Sequence, residues 1–229
     1  MGRKTHGTLC AYQTECIMHT IRPEQAIVLF NGNDLNNWRT REGGAAGWIV
    51  EDGIMTVEKG TGDIVTQETF RDFQLHIEFR IPDMPDATGQ AKGNSGVYIQ
   101  GRYEIQVLDS YGLHIPGQGD CGGVYDMHAP LLNACKPAME WQSYDIVFRA
   151  PRFDQAGREI HDHARITLIQ NGMVVQNNVQ VTGPTGGAID HNVDDPGPLL
   201  LQDHGDLVSY RNIWVMELPL VGSDTYESR

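Results

Sequence analysis

The strongest constraint on the fold is the regular alternation of apolar and polar residues between Phe73 and Ile81. A period of two puts all the apolar side chains on one face of an extended strand. The same period recurs from residue 26 onward, and the pattern contains no amphipathic helix longer than two turns. The chain is therefore expected to be all-β.

Turn chemistry supports the same fold class. Asp52-Gly53 lies at the centre of a hairpin over 48–57, and Asn171-Gly172 lies at the centre of one over 165–175. Both pairs are favoured in type I′ turns because their residues tolerate positive φ. Further strands are predicted at Ile27–Phe30, Ser95–Gln100, Tyr103–Leu108, Tyr144–Phe148, Leu199–His204 and Val208–Leu218. About ten to thirteen short strands predict a two-sheet antiparallel sandwich of the jelly-roll type.

The 229 residues are expected to form one domain, because β-sandwiches often reach this size. We expect a poorly ordered extension at 1–25, the sandwich at 26–219 and a tail at 220–229. The N-terminus carries Arg3 and Lys4 without the apolar stretch of a secretory signal, which predicts a cytoplasmic protein. A trimmed signal would instead make it periplasmic or secreted. No apolar run reaches 18 residues, so no transmembrane helix is predicted.

The charge balance argues against a nucleic-acid partner. Lys and Arg number 17 against 30 Asp and Glu, giving a net charge of −13 that repels a phosphate backbone. The four cysteines fit no zinc motif, and unpaired thiols are expected at Cys10, Cys16, Cys121 and Cys135. A bridge between Cys121 and Cys135 is the alternative, and it would imply an oxidising compartment.

The first candidate site lies on the strand YEIQVLD at 103–109, where Glu104 and Gln106 share one face. A β-bulge near Leu108 would bring Asp109 beside them. On a second strand, Gln202 and His204 also project together. The alternative for these polar groups is a solvated strand face.

Arg211 stands on a largely apolar strand face, where a buried guanidinium needs a carboxylate or a ligand partner. Glu104, Asp109 or a ligand oxygen could fill that role, and an edge-strand charge is the alternative. Aromatic side chains near these strands could stack on a ring-shaped ligand, and they are Tyr98, Tyr103, Tyr111, Tyr125 and Trp141.

The metal-ligand patterns are incomplete. His161 and His163 have the spacing of ligands on a strand face, but nothing nearby completes a set of four. The acidic loop Asp190–Asp195 could hold Ca²⁺, or it is a solvated loop. No metal ligand is assigned, and no cofactor is certain, although a divalent cation, Ca²⁺ or another, remains open.

The strand at 103–109 resembles the Glu-x-Asp-x-x-Glu strand of retaining glycoside hydrolases with the concanavalin A-like fold, with Gln106 at the central Asp. Because Gln106 cannot ionise, the usual double displacement is disfavoured. The chain as a whole resembles the 3-keto-disaccharide hydrolase domain family, which has a concanavalin A-like lectin/glucanase fold. The matching segments are LFNGNDLNNW at 29–38, DFQLHIEFR at 72–80, NSGVYIQ at 94–100, YEIQVLD, NACKPAMEWQSYDI at 133–146, LLLQDHG at 199–205 and RNIWVMEL at 211–218.

This resemblance implies a hydrolase or lyase acting on glycosides that a partner sugar 3-dehydrogenase has oxidised to a ketone at C3. The ketone acidifies the C2 proton, so that deprotonation, elimination of the aglycone and hydration follow. The resemblance implies Glu104 as base or orienter, Arg211 or a divalent cation at the oxyanion, and His204 or Asp109 as proton shuttle. Substrate-binding residues would be Asn94, Gln106, Gln202, Tyr98, Tyr125 and Trp141.

Two other functions remain open from the sequence. One is a conventional retaining glycoside hydrolase that uses Glu104 and Asp109, and the other is a non-catalytic carbohydrate-binding module. The chain also departs from the family pattern by an insertion at Pro82–Lys92.

Overall fold

A computed structural model describes residues 22–154, 156 and 159–220. The strands within this range are β1 (Ile27–Phe30), β2 (Trp38–Thr40), β3 (Ile49–Glu51), β4 (Ile54–Thr56), β5 (Ile64–Thr66), β6 (Phe73–Arg80), β7 (Ser95–Ile99), β8 (Tyr103–Val107), β9 (Trp141–Arg149), β10 (Arg152–Phe153), β11 (Ile160–Asp162), β12 (Ala164–Gln170), β13 (Met173–Val181), β14 (Leu200–Leu201) and β15 (Ser209–Glu217). A 3₁₀ turn at Gly89–Ala91 is the one helical segment in the described part of the chain.

The strands form two antiparallel sheets. The large sheet has eight strands in the order β13-β12-β9-β6-β15-β4-β3, with β1 also paired to β15. The small sheet has five strands in the order β2-β5-β14-β7-β8, and β10 pairs with β11 in a separate hairpin. The two sheets make a jelly-roll sandwich, so the all-β prediction is confirmed.

The core lies between the facing sides of the two sheets. The five apolar residues of the alternating segment at 73–81 are all buried there. Phe148 of β9 packs against Phe73 of β6 and against Tyr103 of the small sheet, each with ring centroids 5.5 Å apart. Side chains at alternate positions therefore point outward from each sheet.

Both predicted hairpin turns are present. Asp52 and Gly53 have φ of 51° and 79°, and Asn171 and Gly172 have φ of 51° and 82°. The strand predicted at 199–204 is shorter, since β14 consists of Leu200 and Leu201, flanked by backbone bonds at Leu199 and Gln202. Among the described residues, no helix is long and apolar enough to cross a membrane.

Cys121 and Cys135 are buried free thiols. The Cys121 Sγ and the Tyr144 hydroxyl oxygen are hydrogen-bonded at 3.1 Å. Cys10 and Cys16 lie outside the described residues, as do most of the predicted N-terminal extension and nearly all of the tail.

Candidate functional site

The candidate site lies on the outward face of the small sheet. β7 and β8 pair in unbroken register, with Tyr98 opposite Glu104 and Gly96 opposite Gln106. Their neighbours Val97 and Ile105 face the core, so alternation turns these four residues away from the large sheet.

Glu104 is a buried carboxylate, with 4% of its surface exposed. Its Oε2 accepts a hydrogen bond from the Tyr98 hydroxyl at 2.8 Å, while Oε1 has no donor within the described part of the chain. Burial raises the pKa of Glu104 to about 7, with Asp126 and Asp63 adding to the rise and the Tyr98 hydrogen bond opposing it. This carboxylate is suited to exchange protons near neutral pH.

Gly96 makes room for this arrangement. A Cβ at position 96 would lie 2.6 Å from Glu104 Oε1 and 2.8 Å from the Tyr98 ring. Gly187 allows a similar close approach from the opposite loop, because its φ is +76° and its Cβ would meet the Tyr98 hydroxyl at 2.6 Å.

The residues after β14 place Gln202 and His204 at the same site. Gln202 donates from its backbone to Gly96 O at 3.0 Å and from Nε2 to the Tyr98 hydroxyl oxygen at 3.2 Å. The Asp203 carboxylate then accepts from the backbone N–H groups of Gly60 and Gly62 at 2.7 and 3.0 Å. These bonds hold the exposed His204 at the rim.

A row of amide side chains forms another wall. Gln106 Nε2 donates to Asn94 Oδ1 at 3.0 Å, and Asn94 Nδ2 donates to the backbone oxygen of Gln90 at 2.8 Å. Gln90 Nε2 donates in turn to Gly119 O at 2.7 Å. The row thus connects β8 to the loop that carries the predicted insertion.

Tyr125 is brought in by a loop along the edge of β8. The backbone N–H of Tyr125 donates to Glu104 O at 3.1 Å, and Gln106 exchanges backbone bonds with Gly122 and Gly123 at 3.0 Å each. These bonds also cover the edge of the small sheet.

Together these groups line an open pocket of about 150 Å³. Its lining consists of Gln90, Asn94, Tyr98, Glu104, Gln106, Tyr125, Gly186, Gly187, Gln202 and His204.

Seven of the residues proposed from the sequence lie together in this pocket: Asn94, Tyr98, Glu104, Gln106, Tyr125, Gln202 and His204. Sequence reasoning missed Gln90 and the pair Gly186-Gly187. Both belong to long loops without periodicity, and the only available signal was their position in an insertion and in a Gly-rich segment.

Asp109 does not line the pocket, contrary to expectation. β8 ends at Val107, so the proposed bulge at Leu108 is absent from the ladder. The Asp109 carboxylate instead forms an ion pair with Lys92 at 2.9 Å and is 5% exposed.

Arg211 and Trp141 also lie elsewhere, on the outward face of the large sheet. The register pairs Arg211 with Glu78 of β6, whose neighbours Ile77 and Phe79 face the core. Arg211 Nε contacts Glu78 Oε2 at 2.6 Å, and its guanidinium lies 4.0 Å from the centre of the Trp141 ring. Arg211 therefore has a carboxylate partner, but it is neither of the two carboxylates suggested. Glu104 lies on the outward face of the other sheet, and Asp109 is paired with Lys92.

The two segments considered as metal sites, around His161 and His163 and at Asp190–Asp195, do not form a ligand cluster in the described structure. Asp162, between His161 and His163, pairs with Arg149 and Arg165, and Asp190 pairs with Arg102 at 2.6 Å. The described residues contain no group of three or more His, Cys, Asp or Glu side chains placed to hold a metal ion.

The comparisons with known proteins agree with this fold. The family model described as "3-keto-alpha-glucoside-1,2-lyase-like domain" matches residues 25–216. The chain belongs to this family. No curated protein matches the chain.

Solved structures similar to this lyase-like domain include three candidate glycosyl hydrolases from Parabacteroides distasonis. One has 44% identity and a TM-score of 0.78, over 86% of this chain and 85% of that chain. A second has 24% identity and a TM-score of 0.64, over 86% and 95%. The third, at 22% identity and a TM-score of 0.57, covers 84% and 99%. The last two show the shared fold alone.

Proposed function

We propose that this protein cleaves 3-keto-glycosides by elimination and hydration, with Glu104 as the base. The observation that carries the proposal is the Glu104 carboxylate itself, which is buried, lines the pocket, has a pKa of about 7 and keeps one oxygen without a donor among the described residues. A base whose pKa lies near the working pH is the most effective kind.

The reaction balances as follows. Glu104 Oε1 removes the C2 proton, the C2–H electrons form a double bond between C1 and C2 by way of the enolate, and the aglycone leaves C1 with its bonding electrons. Water then adds at C1, and a proton returns to C2. The net reaction is hydrolysis, and a sugar 3-dehydrogenase must supply the ketone.

The mechanism also needs two hydrogen-bond donors, and we place both at the rim of the pocket, which Tyr125 and His204 form. The enolate oxygen needs a hydrogen-bond donor, and the departing aglycone needs a proton. With Arg211 on the opposite sheet, we assign these roles to His204 and Tyr125, which line the pocket beside Glu104. Gln106 and Gln202 bind the ring.

The conventional retaining mechanism is less well supported. It needs two carboxyl groups about 5–5.5 Å apart on either side of the scissile bond. Asp109, the expected second carboxylate, is paired with Lys92 and does not line the pocket.

The deciding experiment is turnover of a 3-keto-glucoside in D₂O. We expect aglycone release with deuterium incorporated at C2 of the product, and release without label at C2 would show that elimination is wrong. Running the assay with and without a chelator reports whether a divalent cation takes part.

Two variants separate the three candidate functions. Glu104→Gln is expected to lower turnover by at least about 100-fold, because the amide cannot take a proton. Asp109→Asn is expected to retain turnover, whereas the retaining mechanism requires its loss. Sugar binding without turnover in the unmodified protein would favour a carbohydrate-binding module.

A further inference from the structure

Two residues that line the pocket have a buried side-chain carbonyl oxygen with no hydrogen-bond donor in the described part of the chain. The two oxygens are Oε1 of Gln106 and Oε1 of Gln202, and both residues line the cavity beside Glu104. A buried acceptor without a donor is uncommon in a folded protein and calls for a specific partner. A bound substrate can be that partner.

The orientation of the Gln106 amide follows from a backbone carbonyl. Asn94 lies 2.8 Å from the backbone oxygen of Gln90, which can only accept, so Asn94 must turn its NH₂ group toward it. Asn94 Oδ1 then faces Gln106, at 3.0 Å from Nε2. Gln106 must present its NH₂ group to Asn94, and the Gln106 carbonyl oxygen is left without a donor among the described residues.

The orientation of the Gln202 amide follows from Glu104 by the same reasoning. The Tyr98 hydroxyl has one proton, and its nearest acceptors are Glu104 Oε2 at 2.8 Å and Gly186 O at 3.1 Å. Whichever of these oxygens receives the proton, the Tyr98 oxygen accepts from Gln202 Nε2 at 3.2 Å. The carbonyl oxygen of Gln202 is again left without a donor among the described residues.

We propose that Gln106 and Gln202 form an acceptor pair that binds two hydroxyl groups of the sugar ring, each hydroxyl donating to one carbonyl oxygen. This assignment rests on the proposed function and makes it more specific. Neither residue can exchange its carbonyl oxygen for its NH₂ group without breaking the bond that holds it, so each carbonyl oxygen is left to accept from a donor on the substrate.

The acceptor pair also orients the ketone. A ketone oxygen carries no proton, so it cannot satisfy either carbonyl oxygen and is disfavoured opposite them. The rim suits the ketone better, because Tyr125 and His204 supply N–H or O–H groups there. The ring is thus placed with its ketone toward donors and its hydroxyls toward the acceptor pair.

The test uses equilibrium titrations on the Glu104→Gln variant, which lacks the base but keeps an oxygen for the Tyr98 hydroxyl. The ligands are the methyl glycoside of 3-keto-glucose and its 2-, 4- and 6-deoxyfluoro analogues, in which fluorine cannot donate. Two of the three analogues are expected to bind about 10- to 100-fold more weakly than the parent, because each leaves one buried carbonyl unpaired.

Substitutions assign each penalty to its residue. In the same background, Gln106→Met should abolish the penalty of one analogue, and Gln202→Met that of the other. Gln118→Met is the matched control, since the exposed Gln118 donates to Met127 O at 3.0 Å and lies outside the pocket. Both penalties should persist in that control.

Three results would overturn the acceptor pair. Equal binding of the parent and all three analogues would remove it while leaving the proposed function intact, and this comparison needs no variant at Gln106 or Gln202. Penalties that persist in both Met variants would assign the hydroxyls to other residues. Failure of the parent glycoside to bind would overturn the proposed function itself, and the acceptor pair with it.

Discussion

At the scale of single residues, the chemistry depends on how Glu104 is held. Burial disfavours the charged form of its carboxylate, and the Tyr98 hydroxyl partly offsets this by donating to Oε2. Gly96 leaves the space that the other oxygen occupies. The result is one carboxylate that is fixed in place and still half protonated near neutral pH.

This balance predicts the pH dependence of turnover. Glu104 acts as a base only when ionised, so kcat/KM should rise as the pH increases through about 7. Tyr98→Phe removes the donor that lowers the pKa of Glu104, and the midpoint of the profile should move to higher pH. Tyr111→Phe, at an exposed tyrosine outside the pocket, is the control. An unchanged midpoint in Tyr98→Phe would contradict this account.

At the scale of elements, a polar network of Glu78 and His76 on β6 joins three strands of the large sheet. Glu78 on β6 accepts from Arg211 at 2.6 Å and from Asn212 Nδ2 at 2.8 Å, both on β15. The adjacent His76 bonds to Asp145 of β9 at 2.7 Å. This network explains why Arg211 stands on a β-strand far from the pocket, since its partner is a structural carboxylate.

Glu78 should contribute to stability in a pH-dependent way. Burial by itself would raise the pKa of Glu78, but His76, whose Nε2 lies 3.7 Å from Oε1, and the hydrogen bonds from Asn212 and Arg211 outweigh it and lower the pKa to about 2. Because this value lies below that of the unfolded chain, the stabilisation is complete above about pH 4.5 and is lost as the pH falls toward 2. Its full size is roughly 3 kcal/mol.

The measurement is the free energy of unfolding in urea at several pH values. Glu78→Gln should be less stable than the unmodified protein at pH 7, and the difference should shrink as the pH falls from 4.5 toward 2. Glu68→Gln, at an exposed carboxylate, should show no such trend. A difference that does not change with pH would count against the ionic role of Glu78.

At the scale of the whole molecule, the two sheets depend on one shared core. Phe148 of the large sheet contacts both Phe73 in its own sheet and Tyr103 in the other. The pocket lies on the outward face of the small sheet, and the core lies on the inward face. Packing of β8 against the core therefore fixes the strand that carries Glu104 and Gln106.

Removal of this core contact should destabilise both sheets together. Phe148→Ala is expected to lower the free energy of unfolding by about 3–5 kcal/mol, because it leaves a cavity between the sheets. Unfolding followed by tryptophan fluorescence and by far-UV circular dichroism should give coincident transitions. Val147→Ala, at the half-exposed neighbour on the outward face, should cost less than about 1 kcal/mol. Separate transitions would mean that the sheets unfold independently.

Much of the fold was predictable because its signals are local. The alternation at 73–81 gave a strand and its buried face, and Asp52-Gly53 and Asn171-Gly172 gave two hairpins through their tolerance of positive φ. The shared face of Glu104 and Gln106 also followed from alternation. Asp109 was misplaced because strand alternation does not reveal where pairing ends.

The sequence by itself determined which side chains share a strand face, since the backbone geometry of an extended chain fixes that over a few residues. Only the tertiary structure decided which faces meet, because sheet order and loop packing depend on contacts between residues far apart in the chain. The tertiary structure places Arg211 beside Glu78 on the outward face of the large sheet, and it brings Gln90 and Gly187 to the pocket on the small sheet. It also sets the pKa of Glu104, which comes from burial and from the charges of Asp126 and Asp63, both distant from it in sequence.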